Sequence, residues 1–541
     1  MPADQNARRD FLKSVSAGMV TSAAASTAAL GLPIGAIAPQ SLTKTGHNYN
    51  VQMFGAKGDG KSLDSPAINK AIEAAAAAGG ATVSFPAGIY LCYSLHLRSN
   101  IAIQLSPGTT ILAADPPADP NAPAYDLAEP NAPWESYQDF GHNHWHNSLI
   151  WGEGLENVSV IGPGLIWGKG LSRGWGAGPK AEAPGVANKS IALKNCRNVL
   201  LRDFSILHGG HFGILATGVD NLHIDSLKID TNRDGMDIDC CRNVRVSNCS
   251  VNSPWDDAIC PKSSFALGHA RATEFLTIDN CYVTGAYEEG SLLDGTFKRF
   301  APDDKVSRTG RIKFGTESNG GFRHITVSNC IFDSCHGLAL ESVDGALLED
   351  IVINNITMRD VVSAPIFMRL GSRMRGPAGV PIGTIRRILI NNLVCSNAAS
   401  NVSCIISGIP DHPIEDIRLE NILIQHRGGG AAESAWLQLP EKEKEYPEPT
   451  MFGTTPSHGF FLRHVRHIRM CGVKVISQEA DARPAFVLED VESADFFQVK
   501  APHPKTPGVP VLSLKDVRDF SIGRSKPVPD TEVDSVQKKD L

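Results

Sequence analysis

The 541-residue sequence predicts an all-β fold, a parallel β-helix closed at its N-terminal end by one capping helix. Three observations predict it. Short alternating apolar segments fill nearly the whole chain beyond residue 80. Within them a phrase of the form Asn-apolar-x-apolar-x-polar-small-x-apolar recurs from Asn198, Asn221 and Asn243, with starts 23 and 22 residues apart. A unit of that length cannot bury its own apolar face, so successive units must stack and cover one another.

The first 38 residues read as an export signal. Arg8-Arg9-Asp10-Phe11-Leu12-Lys13 has the twin-arginine pattern, an apolar Ala/Ser/Gly-rich stretch follows, and Ala36-Ile37-Ala38 forms an A-x-A cleavage site. The expected product is a bacterial protein passed to the twin-arginine export machinery and released into the periplasm or beyond. No second apolar run of about 20 residues occurs, so no membrane anchor is expected. The chain holds 12 Cys, but that export route carries proteins folded in a reducing compartment. Cys249, Cys281 and Cys330 recur in matching contexts, as small residues stacked in a core do.

After the signal, residues 54–60 are turn chemistry, and residues 66–78 form one Ala-rich amphipathic helix stopped by Gly79-Gly80. Strands follow at 81–85, 89–91, 101–105 and 110–112, and variants of the repeat continue from His324, Asp350, Arg387, Asp416 and His467. The catalytic domain is expected over residues 39–500, with a final strand and a frayed tail over 501–541. Leucine-rich repeats would space Leu across helices, and propeller blades would be about twice as long. Composition is ordinary for a globular protein, 42% hydrophobic and 20% charged. A net charge of −7 argues against a broad grip on nucleic acid or anionic membrane, so a polyanionic substrate would need local basic groups. A monomer without cofactor is expected.

In such a stack, residues one repeat apart lie one above the other, roughly 4.8 Å apart. Asp234, in Asn232-Arg233-Asp234-Gly235-Met236-Asp237-Ile238-Asp239, and Asp256, in Ser253-Pro254-Trp255-Asp256-Asp257, are 22 residues apart. Asp234, Asp256 and Asp257 are thereby brought together. Crowded carboxyls raise one another's pKa, leaving one protonated beside ionised neighbours. That division suits glycoside hydrolysis, with an acid for the leaving oxygen and a base for water. A separation of roughly 6.5–9.5 Å would leave room for the water of an inverting reaction. Clustered Asp also serves turns and Ca²⁺ sites, so a Ca²⁺-assisted lyase and a non-catalytic binding module stay open at this point.

The phrases FGAKGDGK, TVSFPAGIYL, NVSVIGPGLIWGKG, NRDGMDID with CRNVRVSNC, WDDAICPKS and GTESNGG, in this order, resemble the polygalacturonase and rhamnogalacturonase family, glycoside hydrolase family 28. The resemblance runs from about residue 48 to 500. It implies a right-handed, pectin-lyase-like β-helix and an inverting, metal-independent hydrolase of pectic polysaccharide. It implies Asp256 as general acid, with Asp234 and Asp257 holding and deprotonating the water.

Two family motifs are missing. The histidine of Gly-His-Gly falls on Gly310, and the Arg-Ile-Lys that binds a galacturonate carboxylate aligns with Ala339-Leu340-Glu341. The literal Arg311-Ile312-Lys313 sits one coil too early and is read as a coincidence of letters. A neutral leaving sugar would suit a leaving-group side without these cations, so galacturonate–rhamnose linkages of rhamnogalacturonan I are the expected target, cut from a chain end. An exo-polygalacturonase is the alternative. Glu341 would then meet rhamnose hydroxyls or pair with an Arg. Arg311 and Lys313 share a strand face and could bind the galacturonate before the cut. Lys262, His208 and His211 are the other substrate-binding candidates. The long aromatic segment 113–151, with His142, His144 and His146, is expected to shape subsites rather than hold a metal. Residues 441–456 are expected to form a surface insertion.

Overall fold

The computed structural model describes residues 48–138, 141–174, 182–301, 303–504 and 507–541. The predicted export signal lies outside them. The described chain is a right-handed parallel β-helix of the pectin-lyase type with few helices.

Strands stack in three columns. The first contains Lys189–Lys194, Phe212–Thr217, Asp234–Asp239 and Ile259–Lys262, and continues through an Ile259–Ile312 bridge into Lys313–Phe314 and Leu338–Ser342. The second contains Arg197–Arg202, Asp220–Asp225, Arg242–Ser247 and Thr273–Asp279. The third contains Ser205–Leu207, Lys228–Asp230, Ser250–Asn252, Tyr282–Thr284 and Ile331–Asp333. From Leu347–Arg359 to Ile414–His426 the second and third columns merge into single strands of 13 to 15 residues, and from Phe460–Ser477 onward the first column joins the same continuous strands, Phe460–Arg463 pairing with Cys404–Ser407.

In-register stacking makes the core. Val199, Leu222, Val244 and Leu276 stand above one another, as do Leu201, Ile224, Val246 and Ile278, and all eight are buried. Burying a side chain of this kind contributes about 1.5–3 kcal/mol. All twelve cysteines are free, and eleven are buried.

The recurrent asparagine has a structural cause. Asn157, Asn198, Asn221, Asn355, Asn392 and Asn421 have φ between 52° and 57°, a left-handed turn that Asn tolerates better than most residues. Their amides also bond between coils: Asn421 donates to Asn392 (2.7 Å) and Asn392 to Asn355 (3.3 Å). The opening corner (Asn157, Asn198, Asn221) and a second corner within the repeat (Asn355, Asn392, Asn421) are thus each tied from rung to rung.

The capping helix spans Ser65–Ala77 and buries Ile68, Ala71, Ile72 and Ala75 against the first coils. At the other end the expectation of a frayed tail is corrected. Leu512–Gly523 continues the parallel register, and Thr531–Asp540 turns back to pair with it antiparallel. The solenoid thus runs past residue 500 and ends on a strand of opposite direction.

Candidate active site

Asp234 opens a strand of the first column, and Gly235 beside it lets the coils step close together. A Cβ at Gly235 would meet the Ala258 carbonyl oxygen at 2.4 Å. The Gly235 amide donates to the Asp257 carbonyl (2.9 Å), and Met236 faces Ile259. Asp257, rather than Asp256, is therefore the rung neighbour of Asp234. Asp256 and Asp257 lie in a bend before the strand Ile259–Lys262, and the Asp257 amide donates to Asp256 Oδ1 (3.1 Å). The bend turns both carboxyls toward one cleft. One oxygen from each of Asp234, Asp256 and Asp257 lies within 4.8 Å of the others. This is tighter than the acid–base separation expected from sequence for an inverting site, because the rung spacing itself sets it.

The three carboxyls are held in different states. Burial, then the neighbouring Asp256 charge, pushes Asp234 well above the ordinary carboxylate range. Burial also raises Asp256, opposed chiefly by Arg233, whose Nη2 lies 2.8 Å from Asp256 Oδ2. Burial works against ionised Asp257 as well, but Lys313, Arg311 and Lys262 outweigh it and hold this carboxyl far below its usual range. Arg311 Nε lies 2.9 Å from Asp257 Oδ1, and Lys313 Nζ 3.1 Å from Oδ2. The site thus sets one carboxylate with a weakened hold on a proton next to two carboxyls whose hold is strengthened.

The cleft has a volume of about 650 Å³ and is lined in part by His211, Arg233, Lys262, Lys313, Arg375 and Tyr446 around the three aspartates. Lys262 bridges Glu317 (3.0 Å) and Asp237 (3.8 Å), and His142 bonds Asp237 (3.0 Å), a buried network under the floor. Burial and Arg233 depress the His211 pKa far below normal, so its ring is neutral.

Among the sequence candidates, His211, Lys262 and Lys313 join the aspartates in the cleft. Arg311 is 1% exposed and spends its charge on Asp257 and Glu448, so it acts on the substrate only through Asp257. Arg311 and Lys313 are thus direct ionic neighbours of the acid cluster, one coil before the position of the family motif. Glu341 is corrected: it is fully buried behind Lys313, accepts a hydrogen bond from Thr316 Oγ1 (3.3 Å), and does not reach the cleft. His208 is corrected too, because it pairs with Glu289 (2.8 Å) away from the cleft lining. The absent family histidine has a steric reason, since a Cβ at Gly310 would lie 2.1 Å from the Thr284 carbonyl oxygen.

One insertion reaches further than the sequence indicated. Residues 441–456 fold back over the site: Tyr446 Oη bonds Lys313 Nζ (3.0 Å), and Glu448 pairs with Arg311. Arg369 and Arg463 anchor this segment by donating to the carbonyls of Glu441 and Leu439. From the other side, Glu135, Ser136, Gln138 and His142 of the long 113–151 segment line the cleft. The histidines of that segment diverge: His142 meets Asp237, His144 meets Glu135 and His146 meets Glu153, so they share no ligand site. Its tryptophans serve packing, with Trp145 Nε1 bonded to Thr217 (3.0 Å).

The family model described as rhamnogalacturonase A/epimerase, pectate lyase-like, matches residues 48–114, and one described as right-handed beta helix region matches 185–298. A probable polygalacturonase of Vitis vinifera is 22% identical over 434 residues, covering 76% of this chain and 81% of that protein. An exo-poly-alpha-D-galacturonosidase of Dickeya chrysanthemi is 24% identical over 406 residues, 65% of this chain and 64% of that protein. The structure of a family 28 exopolygalacturonase from Yersinia enterocolitica superposes with a TM-score of 0.59 at 18% identity, over 89% of this chain and 79% of that one. The chain shares the right-handed β-helix of the exopolygalacturonases and is similar in sequence, at low identity, to proteins of polygalacturonase type.

Proposed function

We propose that this protein hydrolyses galacturonate-containing pectic chains, acting from a chain end as an exo-polygalacturonase. One observation carries the reading: three carboxyls share one cleft with unequal proton affinity. Asp256 gives its proton to the leaving oxygen. Asp234 orients the attacking water, and ionised Asp257 accepts its proton. An anion held so firmly is a weak base, but an oxocarbenium-like transition state demands little activation of water. Arg233, Lys262, Lys313 and Arg375 supply cationic partners for galacturonate carboxylates. End-cutting is supported by the two insertions, which wall the cleft from two sides. A Ca²⁺-dependent lyase fits the donor set poorly, because Arg233, Arg311, Lys262 and Lys313 already neutralise the carboxylates a cation would need.

Galacturonate–rhamnose linkages are the second reading, favoured by the rhamnogalacturonase A/epimerase match at residues 48–114. Its original support weakens, since Lys313 and Arg375 return cations to the cleft wall and Glu341 is withdrawn from it. Export through the twin-arginine route belongs to the same proposal, as pectic polymers lie outside the cell. The test is product analysis on oligogalacturonates and rhamnogalacturonan I oligosaccharides of equal length. Monogalacturonate released from the first, insensitive to chelator and without unsaturated product, is expected. Unsaturated products, or no cleavage of either series, would overturn the assignment.

A further inference from the structure

Away from the catalytic column, the third column ends in a ladder of cations. Lys474 bridges in parallel to Lys500, and Lys500 to Lys526, so three successive coils present lysine at one position. Lower on the same column stand Leu423, Val394, Thr357 and Ile331, in register. All three lysines and the nearby Arg524 are exposed. A groove of about 830 Å³ runs along them, floored by Val394 and Leu423 and flanked by Asn392, Asn421 and Gln498. Among the described residues, no carboxylate lines it.

This arrangement is unfavourable in isolation. Like charges one rung apart, roughly 4.8 Å, repel one another. The chain as a whole is acidic, with net charge −7, so the ladder is not a by-product of general basicity. An anionic chain carrying one charge per sugar ring, laid along the helix axis, offsets all three lysines at once. The apolar floor offers a surface for the C–H faces of the rings, and the amides supply donors and acceptors for hydroxyls.

We propose that the groove beside Lys474, Lys500 and Lys526 is a second, non-catalytic site for an acidic polysaccharide. It holds a polyuronate on a different sheet from the one bearing Asp234, keeping polymer near the enzyme between cuts. The choice of polyuronate over other polyanions rests on the function proposed above; the groove itself does not depend on it.

The test uses the full chain with Asp256→Asn, so that polymer is bound but not cut. Affinity electrophoresis through gels containing polygalacturonate, fully methyl-esterified pectin or double-stranded DNA compares it with the same protein also carrying K474Q, K500Q and K526Q. The expected result is retardation by polygalacturonate alone, weakened about tenfold by the triple change and relieved by salt. The triple variant in the otherwise unaltered enzyme should keep its turnover on short oligosaccharides. Equal retardation with and without the lysines, absence of retardation, or retardation by DNA in preference to polygalacturonate would overturn the proposal. Lysine-dependent retardation by polygalacturonate in a protein that cleaves no pectic substrate would sustain the groove while removing the hydrolase reading.

Discussion

Arg233 Nη2 lies 2.8 Å from Oδ2 of Asp256, so the proposed proton donor is tied to a cation on the adjacent coil. Arg233 favours the ionised form of Asp256 and opposes the effect of burial. An acid works only while protonated, so activity should fall as pH rises through its pKa. In Arg233→Gln that pKa rises, and the basic limb of the kcat/KM profile should move up by about one unit or more. Asp256→Asn should lose activity by about 10²-fold or more at every pH while leaving the melting temperature nearly unchanged. Steady-state pH profiles and thermal melts check both.

Buried ion pairing around Asp257 should dominate local stability. Arg311→Met leaves both Asp257 and Glu448 without their guanidinium partner, and breaking a buried pair costs about 3–5 kcal/mol. Denaturant titration at neutral pH measures it.

Glu341 makes an opposite prediction. Burial pushes its pKa up from 4.5 to about 8 against the pull of Lys313 and Arg311. Between those values the folded protein keeps a proton that the unfolded chain has lost. Stability from this residue therefore falls as pH rises from about 4.5 to about 8. Glu341→Gln should remove that slope and be the more stable protein at pH 8, as read from denaturation midpoints between pH 5 and 9.

Tyr446 is 45% exposed and reaches the cleft only through the returning insertion. Tyr446→Ala should raise KM about tenfold through lost ring stacking, while Tyr446→Phe, which keeps the ring, should change it far less. Both should leave the melting temperature within about a degree, because the ring contributes little burial.

The closeness of the three carboxyls makes the stereochemistry worth measuring. With water held by Asp234 and Asp257 close beside Asp256, a direct displacement on an α-linked substrate should release the β-anomer first. Proton NMR within the first turnovers distinguishes this from retention, which would make one of the aspartates a nucleophile.

The stack was legible from the spacing of Asn198, Asn221 and Asn243 because one cause acts on every coil: a left-handed corner that asparagine tolerates and bonds to its neighbour. The aspartates were legible for the same reason, since repeat length converts directly into height along the axis. What escaped was whatever depends on irregular chain. Residues 441–456 carry no periodicity, and their return over the cleft is fixed by the Arg369 and Arg463 bonds to backbone carbonyls, which leave no sequence pattern. The bend that turns both Asp256 and Asp257 toward the cleft likewise leaves no repeat pattern in the sequence.

The reversed strand Thr531–Asp540 has a bearing on how the molecule behaves in company. A rung ending in the common direction would offer its open edge as a template for the first coil of another molecule, inviting fibres built end to end. The hairpin substitutes a strand of opposite direction dense in Glu532, Asp534, Lys538, Lys539 and Asp540, whose charges blunt the open edge. A variant trimmed before Thr531 is therefore expected to self-associate more readily than the whole chain, as light scattering would show.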